Sequence, residues 1–275
     1  MKDIASLLTV VHGPSYTDIS AAVCDFAVDS ATVTLVAGQY LYVGFEKPIS
    51  SLFFYLTTVS TGTRAITVAM YNANIVAWDN VVSLDDTAGF TRSGFVTWTL
   101  PNQISKATVN SAEKYWVRFT VDTSTSAMVV RAVSALFSDD RELKREFPSI
   151  LNSMFLLGGT TDHYMIHESC RNDIVAYFRR KGLKRLADDG NRKKFSGFDI
   201  MDVDEVRAAS TYLALSKIFN NVGNSASSED NWLAKSKYYK KLYDENINLA
   251  YLTWDERSDG AKDELRQVSN IVLTR

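Results

Sequence analysis

The chain has 275 residues, 46% hydrophobic and 23% charged, and its 30 Lys and Arg nearly balance its 32 Asp and Glu for a net charge of −2. Such a composition suits a globular protein with a sizeable core and excludes one that holds nucleic acid or membrane by global charge alone. Residues 1–8 lack the apolar run of a signal peptide, no stretch of about 18 apolar residues offers a membrane span, and Cys24 and Cys170 are too few for a disulfide framework, which fits a reducing cytoplasm.

The sequence changes character near residue 138. Residues 1–137 hold only 8 Lys and Arg against 10 Asp and Glu, whereas residues 138–275 hold 22 of each. The expected fold class is therefore α+β in two domains: a β-sandwich over 1–137, jelly-roll-like and antiparallel, then an α-helical bundle over 138–275 that ends in an extended arm from about residue 255. In the first part, Ile66, Val68 and Met70 alternate with Thr67, Ala69 and Tyr71. Val96, Trp98 and Leu100 alternate with Phe95, Thr97 and Thr99, and Tyr115, Val117, Phe119 and Val121 with Trp116, Arg118 and Thr120. Side chains on a strand point alternately to its two faces, so each set gives a strand with one apolar face. The run from Ser51 to Leu56 reads as a strand buried on both sides. Gly38, Pro48, Gly62, Gly89, Gly94 and Pro101 punctuate these runs.

Met70-Tyr71-Asn72, Ala77-Trp78-Asp79, Asp85-Asp86-Thr87-Ala88-Gly89-Phe90, Ser93-Gly94 and Lys114-Tyr115-Trp116-Val117-Arg118-Phe119 follow in that order. The succession resembles the β-sandwich modules of virion and surface proteins of tailed bacteriophages, over roughly residues 38–136. Some such modules resemble carbohydrate-binding modules. A sugar site needs exposed rings, for which Trp78, Trp98, Trp116, Tyr42 and Tyr55 are available, although aromatics at alternating positions mostly fill cores.

In the second part, Ser138-Asp139-Asp140 caps a short helix through Glu146, stopped by Pro148. A loop with Gly158-Gly159 precedes a helix from about 162 to 181, on which Ile166, Cys170, Ile174 and Tyr177 form a stripe and after which Gly182 is the stop. Residues 179–194 carry Arg179, Arg180, Lys181, Lys184, Arg185, Arg192, Lys193 and Lys194 against Asp188 and Asp189, flanked by Phe178 and Phe195. Most such runs are simply solvated, and the functional alternative is contact with nucleic acid or an acidic partner. Asp202 and Glu205 have capping-box spacing for a helix carrying Val206, Ala209, Leu213 and Ile218 and ending at Gly223. A last helix, 228–254, keeps a roughly seven-residue seam of Trp232, Tyr239, Leu242, Asn246 and Leu249. The two helices form an antiparallel hairpin. Val268, Ile271 and Leu273 lie in an apolar tail too short to fold alone, which docks on its own domain or adds as a strand to a neighbour.

Arg207–Ala214, Lys237-Tyr238-Tyr239-Lys240-Lys241-Leu242-Tyr243, Asn248–Leu252, Asp255, Asp259-Gly260 and a terminal strand ending at Arg275 complete the chain. This order resembles the head-to-tail connector (adaptor) proteins of tailed phages, over roughly residues 165–275. The resemblance implies a viral structural protein in the virion neck, assembled in the host bacterial cytoplasm. It implies a homo-oligomeric ring, twelve-fold, beneath the portal protein. A downstream neck or tail protein would follow, and viral DNA would pass through the lumen without sequence specificity. Val268, Ile271, Val272, Leu273 and Arg275 would then bind the portal or a neighbour. Tyr212, Phe219, Trp232, Tyr239 and Leu242 would pack between subunits, and the basic stretch would face DNA or portal. The β part departs from the helical family pattern. The alternative is a tail-associated glycan-binding module on a helical oligomerisation base.

No catalytic or metal site and no cofactor is expected. His163 and His167 share a helix face with Cys170 nearby, a trio able in principle to hold zinc, but the glutamate of H-E-x-x-H is missing. Asp255, Glu256, Asp259 and Asp263 lack EF-hand spacing, and neither G-x-S-x-G nor a P-loop occurs.

Overall fold

The computed structural model describes residues 9–13, 15–24, 29–101, 103–156, 158–186, 192–200, 202–225, 229–254 and 264–267. Antiparallel sheets and, among the described residues, five α-helices make up the chain. It divides between Ala135 and Leu136 into two compact units.

The first unit contains β1 (Thr9–His12), β2 (Thr17–Asp18), the single turn α1 (Ser20–Val23), β3 (Ala31–Val33), β4 (Leu41–Phe45) and β5 (Ser51–Thr58). It continues with β6 (Ile66–Asn72), β7 (Ala77–Asn80), β8 (Ser83–Asp85), β9 (Gly94–Trp98), β10 (Ala107–Val109), β11 (Ala112–Val121) and β12 (Met128–Ser134). One sheet runs β2-β1-β4-β11-β6-β7, with β10 also on β11, and the other runs β3-β12-β5-β9-β8. The alternation read from sequence sets the faces. Val117 pairs with Val43 and Met70, and Phe119 with Leu41 and Val68, so these buried residues share one face of the larger sheet. Phe119 meets Phe54 of β5 edge-on at 5.4 Å and Trp98 of β9 at 5.8 Å between ring centroids, which joins that face to the smaller sheet. Within β5, Leu52, Phe53, Phe54 and Leu56 are all buried, as a strand covered on both sides requires.

The opposite face of the larger sheet is also packed. Trp116 lies across Gly44 so closely that a Cβ at Gly44 would come within 2.6 Å of the indole ring. The indole Nε1 donates to the carbonyls of Ala107 (3.0 Å) and Ala112 (3.2 Å), which fastens β10 over the ring. The Asp85–Phe90 motif is a turn. The Asp85 carboxylate accepts from Thr87 N (2.8 Å) and Gly89 N (2.7 Å), while Gly89 takes a left-handed φ of +72° over the stem of Arg64.

The second unit contains α2 (Asp140–Glu146), α3 (Tyr164–Arg180), the hairpin β13 (Lys184–Leu186) with β14 (Arg192–Lys194), and a 3₁₀ turn Gly197–Asp199. Then come α4 (Asp204–Ser225), α5 (Glu229–Leu249) and the hairpin β15 (Tyr251–Trp254) with β16 (Glu264–Gln267). Asp139 caps α2 in a capping box with Glu142. Gly182, with a φ of +89°, follows α3, and Leu183 N bonds back to the Phe178 carbonyl at 3.1 Å in a Schellman-type closure. Helices α4 and α5 run antiparallel, because Tyr212 meets Tyr239, Ser216 meets Ser236 and Phe219 meets Trp232.

Two expectations need correction here. Gly223 does not end α4, which continues to Ser225. It sits where a Cβ would come within 2.9 Å of the Leu233 side chain, so the missing side chain serves helix approach. The last helix stops at Leu249 rather than 254, and β15 takes up the chain. Glu264–Gln267 pairs with β15 of the same chain, whereas the apolar tail beyond lies outside the described residues.

Replacing Gly44 by Ala is expected to lower unfolding free energy by about 1–3 kcal/mol through overpacking against Trp116. Adding Trp116→Leu should recover part of that loss in a denaturant titration of the double variant. Equal midpoints for Gly44→Ala and wild type would contradict the packing described.

Candidate functional site

The second unit holds a buried polar network that joins three helices. Ser138 Oγ lies 2.9 Å from His167 Nδ1 and 2.7 Å from Ser210 Oγ, and His167 Nε2 lies 3.2 Å from Asp140 Oδ1. One tautomer satisfies all three contacts: Nε2–H donates to Asp140, Nδ1 accepts from Ser138, and Ser210 donates to Ser138. Serine, histidine and aspartate in hydrogen-bonded sequence are the residue types of an acyl-transfer site. Here Ser138 is 0% exposed and His167 2%, and the serine oxygen is already engaged on both sides. The arrangement ties the Ser138 segment and α2 to α3 and α4.

Around it lies an ion network. Asp139 accepts from Arg141 N (2.8 Å) and pairs with its guanidinium (2.9 Å), while Arg207 of α4 reaches Glu142 (3.1 Å) and Asp204 (2.7 Å). Burial works against the Asp139 charge, but hydrogen bonding with Glu142 and Arg141 overcomes it and holds the carboxyl down to about 2. Glu142 moves the other way, raised by burial and then by Asp139 beside it. Glu205, expected in a capping box with Asp202, instead binds across to the Thr253 backbone N–H (2.7 Å) and hydroxyl, fastening β15 to α4. Asp202 itself accepts from Asp204 N at 3.0 Å.

The metal trio does not converge. His163 Nε2 is 3.1 Å from the Ile150 carbonyl, His167 is held as above, and Cys170 is wholly buried with its thiol pushed up to about 12 by that burial. Among the described residues no group of three or more His, Cys, Asp or Glu could hold a metal ion. Asp255, Glu256, Asp259 and Asp263 lie outside the described residues.

The basic stretch is a β-hairpin at the end of α3. Its flanking phenylalanines, Phe178 and Phe195, are wholly buried and meet edge-on at 5.8 Å, and Arg179 Nε donates to the Phe195 carbonyl at 2.6 Å. Lys181 lies over the Tyr177 ring at 5.6 Å. Arg180, Lys184 and Lys194 are exposed, while the side chains of Arg185, Arg192 and Lys193 lie outside the described residues. The arm residues Val268, Ile271, Val272, Leu273 and Arg275 also lie outside them.

Four of the five residues expected between subunits, Tyr212, Phe219, Trp232 and Tyr239, form an intrachain seam. Phe219 is 0% exposed and stacks on Trp232 (5.6 Å, 8°) and Tyr239 (5.6 Å, 18°), and Tyr239 in turn stacks on Tyr212 (6.2 Å). Lys235 places its ammonium 4.6 Å from Trp232 and 4.8 Å from Phe147, closing the cluster by cation–π attraction. The inter-subunit role assigned to Phe219 is therefore withdrawn, since its own chain covers it completely. The seam also drifts from the seven-residue pattern. At about 100° per residue, Tyr243 lies roughly 20° round from Trp232, but Leu249 lies about 100° away. Tyr243 and Ile247 are accordingly buried, Leu242 is half-buried and Leu249 is 63% exposed. Tyr238, Leu242 and Leu249 thus form a second stripe on α5, with Tyr238 58% exposed and Tyr251 just beyond at 56%. Beside this stripe an open groove of about 970 Å³ runs along α3, α4 and α5. Among the charges that line it, Lys217 pairs with Asp173 (2.7 Å), Lys240 with Asp244 (2.5 Å) and Lys241 with Glu245 (3.6 Å).

In the first unit, the candidate sugar-stacking rings divide. Trp98 and Trp116 are buried and Tyr42 is 5% exposed, while Tyr55 and Trp78 are half-buried. On the outer face of the larger sheet Tyr42 gathers Tyr16 (6.0 Å), Tyr40 (5.7 Å) and Trp78 (5.5 Å), and Tyr71 meets Trp78 edge-on at 5.9 Å. Tyr16, Tyr40 and Arg118 of this cluster were not singled out from sequence. Arg118 was legible as a polar residue alternating with Val117 and Phe119, but its neighbours come from strands far apart in the chain.

No protein-family model matches this chain, and no curated protein matches it in sequence.

The Asp139 charge contributes stability that is fully present above about pH 4 and is lost as pH falls toward its folded value. Asp139→Asn, which keeps a capping acceptor without the charge, should be less stable than wild type at pH 7, and the gap should close between about pH 4 and 2. Asp139→Ala should cost about 1 kcal/mol more through loss of the cap. Chemical denaturation at a series of pH values checks both, and a gap independent of pH would contradict the electrostatic origin.

Proposed function

We propose that this chain is a structural virion protein of a tailed bacteriophage, a head-to-tail connector (adaptor) that forms a ring beneath the portal and joins capsid to tail around the DNA. The observation that carries the reading is the second stripe on α5. Tyr238, Leu242 and Leu249, continued by Tyr251, stay outward on a helix whose inward seam is already filled by its own chain. A helix with apolar residues on two faces serves two packings, one within the subunit and one beyond it. The order of helix, polar loop, Lys- and Tyr-rich helix and terminal segment supports the same reading, as does the burial of Ser138 and His167. Among the described residues no helix is long and apolar enough to cross a membrane.

In this reading the first unit is a β-sandwich domain appended to a helical connector domain. The edge-on contacts of Phe119 with Phe54 and Trp98, one ring from the larger sheet against two from the smaller, support the sandwich. The basic hairpin then offers Lys184 and Lys194 to the DNA or the portal, with its base anchored by Phe178 and Phe195. A second reading, a glycan-binding module on a helical oligomerisation base, is favoured by the half-exposed aromatic cluster around Trp78.

Two experiments test the connector. Tyr238→Ser with Leu249→Ser should leave monomer stability within about 0.5 kcal/mol, as exposed positions allow, and shift the protein from rings to monomers in native mass spectrometry. Persistence of the same assembly would contradict the stripe's role. Deleting residues 268–275 keeps the β15–β16 pairing, so melting should be unchanged while attachment to portal-bearing capsids is lost. Attachment by the truncated protein would remove the arm from the mechanism.

A further inference from the structure

The outer face of the seven-stranded sheet carries one cation in an unusual setting. The Arg118 guanidinium carbon lies 4.3 Å from the Tyr40 ring centroid and 4.8 Å from that of Trp78, so the group is sandwiched against two π faces. Its Nε is buried and has no hydrogen-bond partner, and among the described residues no carboxylate pairs with it. Arg64 Nε is likewise buried without a partner, but the terminal nitrogens of Arg64 have Gly89 O and Ser60 Oγ, as Arg171 has Asn172 Oδ1, Arg207 has Asp204 and Glu142, and Arg141 has Asp139. A desolvated guanidinium donor without an acceptor costs roughly 1–3 kcal/mol, and stacking on rings leaves its planar fork of donors free in the plane. The rings around it are partly open, Tyr16 being 47% exposed and Tyr40, Tyr71 and Trp78 half-buried.

We infer that this face binds a carboxylated saccharide, a uronate-type sugar whose carboxylate pairs with Arg118 while its pyranose ring lies against Trp78 and Tyr16. A carboxylate matches the fork with two parallel hydrogen bonds. The flat apolar face of a pyranose suits an aromatic platform with one polar end, which is how small sites in proteins combine apolar lining with a few placed polar groups. Tyr42, Tyr71, Trp78 and Trp116 are placed by strands, while Tyr16 sits in the turn between β1 and β2 and Tyr40 just ahead of β4. Tyr42 is in register with Arg118, Tyr71 with Trp78, and Gly44 lets Trp116 lie across its strand with its ring edge-on to Tyr42, so these rings are in place before any ligand arrives. The inference rests on the glycan-binding reading and is independent of the connector.

The test titrates the full-length protein with trigalacturonate, with its neutral counterpart galactotriose, and with poly-L-glutamate as an acidic peptide, following tryptophan fluorescence. Saturable binding of trigalacturonate at about 1 mM or below, at least tenfold tighter than galactotriose and poly-L-glutamate, is the expected result. Arg118→Gln should weaken it about tenfold or more. Arg118→Lys, which keeps the charge but lacks the fork, should fall between. Unchanged near-ultraviolet circular dichroism establishes that each variant is folded, and Trp78→Phe provides a second, milder variant expected to lower affinity without loss of fold. Equal affinity for galactotriose would retain a glycan site but overturn the role given to Arg118. Equal affinity for poly-L-glutamate would overturn the saccharide in favour of an acidic peptide. No saturable binding of any of the three would overturn the site and the glycan reading together.

Discussion

Phe219 lies within 8° of parallel to Trp232 and 18° of parallel to Tyr239, and the helical unit is organised around that stack. Three large rings in register fix the rotation of α5 against α4. Two smaller contacts set the distance: Ser216 and Ser236 exchange hydrogen bonds to each other's carbonyls at 3.0 and 2.8 Å, and Gly223 admits Leu233. With the rotation fixed, Tyr243 and Ile247 turn inward and Tyr238 and Leu249 turn outward, so what the unit can offer a partner is settled by its own core. The α2 segment is held to the same frame by the Ser138–His167–Ser210 network and by Arg207, both anchored on α4.

The β unit solves a different problem with similar means. Its larger sheet has aromatics on both faces. On one, Phe119 reaches Phe54 and Trp98; on the other, Trp116 lies over Gly44 and meets Tyr42 edge-on at 6.4 Å. Burying a face normally takes a second layer. Here the second face is covered by its own rings and by β10, which leaves a rim of half-exposed tyrosines and tryptophan with Arg118 set among them.

Much of this was legible in the sequence where one local rule governs. Period-two alternation placed the strands around Val68, Val96 and Val117, and the run Ser138-Asp139-Asp140 marked the start of α2. The reading failed where a distant residue decides. Gly223 looks like a helix stop until Leu233 is placed beside it, and Glu205 looks like a capping residue until Thr253 draws its carboxylate away. The α5 seam was read at 3.5 residues per turn, while an unsupercoiled helix keeps 3.6, and over 17 residues the difference carried Leu249 out of the core. The pairing of residues 184–186 with 192–194 is hidden in what reads as a solvated charge run, because lysines and arginines are poor strand formers and the Phe178–Phe195 contact at its base joins residues far apart in the chain. The Ser138 network and the Arg118 face were not legible, since each assembles residues that are separated by tens of positions and are individually unremarkable.

An intrachain seam beneath an outward stripe is the feature on which the connector reading depends, and the particle itself is where it meets a direct test. Cross-linking mass spectrometry on purified phage particles containing this protein reads out the exposed lysines Lys237 and Lys241 of α5, and Lys262 ahead of the C-terminal tail. The expected result is links joining Lys237 or Lys241 of separate copies, together with links from Lys262 to a portal subunit. Links to fibre or baseplate proteins alone, or absence of the protein from the particle, would contradict the connector assignment.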